Sequence, residues 1–361
     1  MGVAGQTHVA APVPHALMIN RAAPNTGSFR LFERLLGEVF SADGKSYDAR
    51  MDMQTTGAAG HRSRRAPVAL SLADLPLERQ NRADGAARIA FQRLSDGRTV
   101  LKDLYHRQPL RALLPITAHG EPPSAILTCV SGGLAGGDRL SVDVRVEDGA
   151  RACVIGQAPE KIYRSLGPNA EIEARLDVSA DAYLEWLPQE AIVFDGARMR
   201  RRTRLTIDGS ASLLAGEMIA FGRAAKGEPF ERGYVFDGWD VRRQDGRLLW
   251  KDALRFGDCG AAQMQAALHQ PSTLGGAGAC ATIIAQTADP EGAVDAVRRL
   301  ESVLETAGGA SIGATHVNGL VLVRLLGRQA RPLRSAFGVI WGELRARVAN
   351  LSNRMPTIWR I

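Results

Sequence analysis

LSVDVRVEDGARACVI, residues 140–155, decides the fold. From Leu140 to Val146 apolar and polar residues alternate without a fault, as a strand with one buried face requires. Asp148-Gly149 follows, and Gly accepts positive φ without steric cost, so a tight turn is expected there. A second apolar run, Ala150 to Ile155, comes directly after it. Asp-Gly recurs at 84–85, 96–97, 195–196, 208–209, 237–238 and 245–246. Turn signals this frequent predict many short strands.

The same stretch has two weak echoes. VEDGARACV (146–154), VSADAYLEW (178–186) and IDGSASLLA (207–215) align at spacings of 32 and 29 residues. A period near 30 with one turn per unit predicts stacked β-layers, a short solenoid of flattened sheets; ordinary hairpins of similar length are the alternative. Two helices are expected near the end. Asp289 caps the first, Pro290 opens it, and Ala293, Val294, Val297, Leu300, Val303 and Leu304 share a face before Gly308. The second runs from about Leu333 to Leu351, with Leu333, Phe337, Ile340, Trp341, Leu344 and Val348 at helical spacing. Between them, Gly319 to Leu326 reads as a strand. Residues 1–65 read as a flexible extension carrying one short amphipathic segment, Ser28 to Phe40, and residues 66–361 as a single β-rich domain.

Composition narrows the function classes. With 45% hydrophobic residues and 38 glycines, the chain is globular and turn-rich. No run of 18 apolar residues spans a membrane, the N-terminus lacks a secretory pattern, and Gln6 spoils a myristoylation signal, so a cytoplasmic protein is expected. The four cysteines, 129, 153, 259 and 280, show no C-x-x-C or zinc spacing and read as reduced thiols. The net charge of +7 raises nucleic-acid binding, but no RNA- or DNA-binding motif accompanies it. Arg198, Arg200, Arg202 and Arg204 alternate with Met199, Arg201, Thr203 and Leu205, which reads as largely the solvated face of a strand, with a patch for an acidic partner as the alternative.

The Gly-rich stretch Ser131 to Asp138 (SGGLAGGD) lacks the Lys-Ser/Thr of a phosphate loop and precedes a strand, so it reads as a compact loop ending in a carboxylate. Gly309 to Gly313 (GASIG) matches the serine-hydrolase elbow, yet a helix precedes it and a strand follows, the reverse of what an elbow needs. A free-standing hydrolase using Ser311 or an acid pair is therefore the remote alternative. Seven scattered histidines build no local metal site. Asp138, Glu190 and Glu228 stand out because each lies beside Gly or apolar residues. Structural caps or ion pairs are the plainer reading of each.

Taken together, SGGLAGGDRLSVDVRVEDGA (131–150), QAPEKIYRS (157–165), LEWLPQEAIVFDGARMRR (184–201), GRAAKGEPF (222–230), WDVRRQDGRLLWKDALR (239–255) and GASIGATHVNGLVLVRLL (309–326) resemble the UreD (UreH) family of urease accessory proteins. The resemblance implies a mainly β fold with C-terminal helices and a non-catalytic role. It implies binding to urease apoprotein and to the accessory protein UreF, which holds the GTPase UreG. It further implies nickel in transit through a channel, with no tightly bound cofactor. A conduit needs oxygen ligands weak enough to release Ni²⁺, which suits carboxylates without Cys/His clusters. On that expectation Asp138 and Glu228, in family-like Gly-containing blocks, line the path, with Glu190 as a third.

Overall fold

The computed structural model describes residues 82–257, 259–308 and 310–360. The expected helix at Ser28 to Phe40 and a domain start at Ala66 lie outside these residues.

Two sheets face each other. The first has seven strands, ordered β14-β13-β11-β8-β5-β1-β2. These are β1 (Asp84–Arg93), β2 (Thr99–Arg107), β5 (Arg139–Val146), β8 (Ala170–Val178), β11 (Arg198–Ile207), β13 (Tyr234–Arg243) and β14 (Leu248–Gly257). The second has ten and runs β16-β17-β15-β12-β9-β6-β4-β3. Its members are β3 (Leu110–Leu113), β4 (Ser124–Cys129), β6 (Arg151–Gln157), β9 (Tyr183–Leu187), β12 (Ser212–Phe221), β15 (Ala279–Gln286), β16 (Ala310–Val317) and β17 (Leu320–Gly327). Short strands β7 (Glu160–Ile162) and β10 (Ala191–Val193) join beside β12.

The repeat of about 30 residues is one full circuit of the chain. β5, β8 and β11 pair in parallel in the first sheet, placing Val146 beside Val178 and Val178 beside Ile207. β6, β9 and β12 pair in parallel in the second, with Tyr183 between Arg151 and Ser212. Each echo is thus a corner where the chain passes from one sheet to the other, and the hairpin alternative is excluded. The corners stack by backbone bonds: Gly149 N–H donates to Ala180 O at 2.8 Å, and Ala150 N–H closes the turn onto Glu147 O at 2.9 Å. Gly149 sits at φ +64°, the conformation the Asp-Gly pair predicts.

Not every Asp-Gly is a turn. The pairs at 96–97 and 245–246 close the β1–β2 and β13–β14 hairpins, but those at 84–85 and 237–238 lie inside β1 and β13. At Gly85 the reason is close approach: a Cβ there would stand 2.7 Å from Leu140 Cδ2.

Burial explains why the sheets read differently. The outer face of the first sheet meets solvent, so β5 alternates from Leu140 to Val146 as expected. β12 is buried on both faces past its first residue and reads as a continuous apolar run. Its far side is covered by the last of the α-helices. Among the described residues there are three: α1 (Ala261–His269), α2 (Pro290–Gly308) and α3 (Ala330–Ala349). α1 and strand β16 were not expected from sequence; α1 is short and only weakly amphipathic. Asp289 Oδ1 accepts Gly292 N–H at 2.9 Å, the cap that starts α2. α3 lies on β12 and β15. Gly216 permits that contact, since a Cβ there would stand 2.8 Å from both Phe337 and Trp341.

Candidate functional site: a polar seam between the sheets

The space between the sheets is an apolar core built from inward positions of both. One row crossing the strands is polar instead. In the second sheet, Glu217 pairs across strands with Thr282, and Thr282 with Arg324. In the first sheet, Arg201 is registered with Asp237, and Thr203 with Trp239, which in turn faces Asp252. All these side chains point inward, so two polar rows face each other from the β11/β12 interior to the β14/β17 edge.

They meet across the gap. Thr203 Oγ1 donates to Glu217 Oε1 at 2.6 Å, and Trp186 Nε1 donates to the same oxygen at 3.4 Å. Arg201 Nε lies 3.2 Å from Glu217 Oε2 and 2.7 Å from Asp237 Oδ1, while its Nη2 donates to Asp237 Oδ2 at 2.9 Å. At the edge, Arg324 bonds Asp252 and Thr282 and stacks 5.4 Å from the Trp250 ring. The inner end is sealed, with Arg201 and Glu217 at 5% and 4% exposure, whereas Asp252 and Arg324 reach solvent.

Burying charge is costly unless it is paired and hydrogen-bonded. Burial pushes the Glu217 carboxyl above its ordinary range, and Arg201 pulls it partly back. Burial would lower the Arg201 guanidinium, but Asp237 and then Glu217 outweigh it and hold it above its usual value. Burial also lifts the nearby Cys280 thiol to about 12. Two carboxylates share one inner guanidinium. Two polar atoms here lack a hydrogen-bond partner: Glu217 Oε2 and Trp239 Nε1.

The sequence-selected carboxylates lie elsewhere. Asp138 closes the Gly-rich loop, accepting Ala83 N–H (2.8 Å) on one oxygen and Ala135 N–H (2.7 Å) on the other. Glu228 pairs with Arg223, whose Nε donates at 2.6 Å and whose guanidinium stacks 4.5 Å from Phe194. This pair borders a surface cavity of about 640 Å³ shared with Tyr163, Arg164 and Asp195. Glu190 pairs with Arg334 of α3. Among the described residues no three Cys, His, Asp or Glu side chains converge on a metal-binding point, these included. Ser311 sits within β16, paired with Leu326, and not on an elbow.

A further carboxylate escaped the sequence reading. Glu160, half-buried beside the Gly-rich loop, is raised to about 7 by burial; the Cys129 thiol offsets part of this and Asp138 adds to it. The LEWLPQE block, in turn, receives the C-terminal helix. Fully buried Glu185 accepts Arg345 Nε at 2.9 Å and Trp341 Nε1 at 2.7 Å, and Gln189 and Glu190 both bond Arg334.

The family profile described as UreD urease accessory protein matches residues 83–360. A urease accessory protein UreD of Magnetococcus marinus is 39% identical over 298 residues, spanning 81% of this chain and 99% of the relative. That of Xanthobacter autotrophicus is 39% identical over 280 residues (78% and 92%). That of Rhodopseudomonas palustris is 35% identical over 303 residues (84% and 99%).

Proposed function

We infer that this chain, which belongs to the UreD family of urease accessory proteins, serves urease maturation as a non-catalytic scaffold and nickel conduit. Nickel is its cargo. The partners proposed for it are urease apoprotein, UreF and, through UreF, UreG.

The observation that carries the conduit is the polar seam. In a sandwich core otherwise apolar, Glu217, Thr282, Arg324, Arg201, Asp237 and Asp252 form facing rows that end at a solvent-reached edge. Oxygen donors suit transit, because carboxylate and hydroxyl ligands hold a divalent ion without trapping it as thiolates do. Arg201 supplies the balancing charge while no cation is present. Glu217 and Asp237 are the carboxylates that would hold a passing Ni²⁺ there, in competition with the Arg201 guanidinium. Asp138 and Glu228, with Glu190 as a third, are further proposed lining positions away from the seam, and Glu160 adds a carboxyl with no cationic partner among the described residues.

The test is the nickel content of urease matured at limiting nickel with Glu217→Gln, Asp138→Ala or Glu228→Ala in place of the wild type. Each variant is expected to co-purify with its partners yet deliver less nickel. Unchanged loading in all three removes the conduit and leaves a scaffold.

A further inference from the structure

We propose that the outer face of the seven-stranded sheet, along β11, β13 and β14, is a docking surface for an acidic face of a partner protein. This inference is independent of the conduit, which runs on the inward side of the same strands.

Outward positions of β11 hold Arg198, Arg200, Arg202 and Arg204, and the neighbouring strands add Arg242 and Lys251. Asp240 is the one carboxylate on the outward positions of these three strands, and both Arg242 (2.7 Å) and Lys251 (3.8 Å) share it. The guanidinia are held in place by rings. Arg200 and Arg202 flank Phe236 at 5.9 and 5.5 Å, and Arg198 stacks on Tyr234 at 5.1 Å. Among the described residues Arg202 has no carboxylate partner. Stacked guanidinia are pre-organised and weakly hydrated, so they lose little on forming bidentate carboxylate pairs.

The pattern favours protein over phosphate polymers or membranes. The rings lie beneath the guanidinia and are not free to stack on bases. The adjoining strand β8 turns Glu171 and Glu173 outward, 3.8 Å from Arg200 and 3.3 Å from Arg204. These carboxylates, with Arg175 bonded to Glu173 in the same column, interrupt the basic surface that a continuous phosphate track or an anionic lipid surface would need. A basic column of β11 flanked by mixed charge matches a protein face, where charge pairs set register and speed association.

The experiment measures binding of full-length chain to the urease apoprotein of the same cells, purified with its other accessory proteins, across a salt series. Arg202→Glu/Lys251→Glu is compared with wild type, and Arg200→Gln serves as a milder second variant; unchanged melting and nickel-loading of bound complexes keep folding and conduit separate. The expected result is about ten-fold weaker binding for the double variant, a smaller loss for Arg200→Gln, and a flatter salt dependence. Unaltered affinity and slope overturn the proposal. So does the finding that the double variant loses only affinity for short single-stranded RNA or phosphatidylserine vesicles.

Discussion

Arg201 Nε stands 3.2 Å from Glu217 Oε2 on the opposing sheet, so a strand whose other arginines face solvent also supplies the cation of the sealed interior. The two sides of β11 therefore do different work: outward guanidinia stack on aromatic rings, and the inward one balances two buried carboxylates.

Removing that balance is expensive. Arg201→Leu leaves Glu217 and Asp237 buried without a cation and is expected to cost about 3–5 kcal/mol. Adding Glu217→Leu and Asp237→Leu should recover most of the loss. Urea denaturation of the single and triple variants measures both, and a triple variant as unstable as the single one would contradict the pairing.

Glu160 makes stability depend on pH. Its carboxyl is raised to about 7 in the folded chain against 4.5 for the free group, so the folded state binds the extra proton between those values. Stability should then fall as pH rises from about 4.5 to 7 and level off above. Glu160→Gln removes this contribution. The variant should match wild type near pH 4.5 and exceed it by about 1–3 kcal/mol at pH 8, read by denaturation at both values.

Gly216 is expected to tolerate no side chain. Gly216→Ala drives a methyl into the stacked Phe337 and Trp341 rings, 5.3 Å apart between centroids. Overpacking of this kind costs about 1–3 kcal/mol. Reduced thermal stability and altered tryptophan fluorescence would report it.

Glu185 anchors the C-terminal helix. Glu185→Leu strands the Arg345 guanidinium in the interior, with Glu121 as its remaining carboxylate. A loss of about 3–5 kcal/mol is expected, with earlier proteolysis of α3 than of the sheets.

Much of this architecture is legible in the chain. The alternation of 140–146, the echoes at 32 and 29 residues and the cap at Asp289 each express a local rule, and each appears in the fold where the rule puts it. The seam is less legible. Arg201 and Thr203 occupy the inward phase of β11, which marks them as buried, but among so many arginines that signal is easily read as surface. Glu217 stands alone in the apolar run of β12 and is the clearest clue. Its partners lie on other strands, and only the stacking of the sheets brings them within reach. Asp138 and Glu190 stand beside Gly or apolar residues in the sequence, and backbone amides and Arg334 are the partners that hold their carboxylates there. Asp84-Gly85 and Asp237-Gly238 misread as turns because a glycine needed for close packing looks the same in sequence as one needed for positive φ.

The most direct test of the account is urease maturation itself. Urease subunits and the remaining accessory proteins are co-expressed with and without this chain, and the nickel content and activity of the purified urease are measured. The account predicts nickel-poor, inactive urease in its absence and co-purification with UreF in its presence. Fully nickel-loaded, active urease without the chain would contradict it.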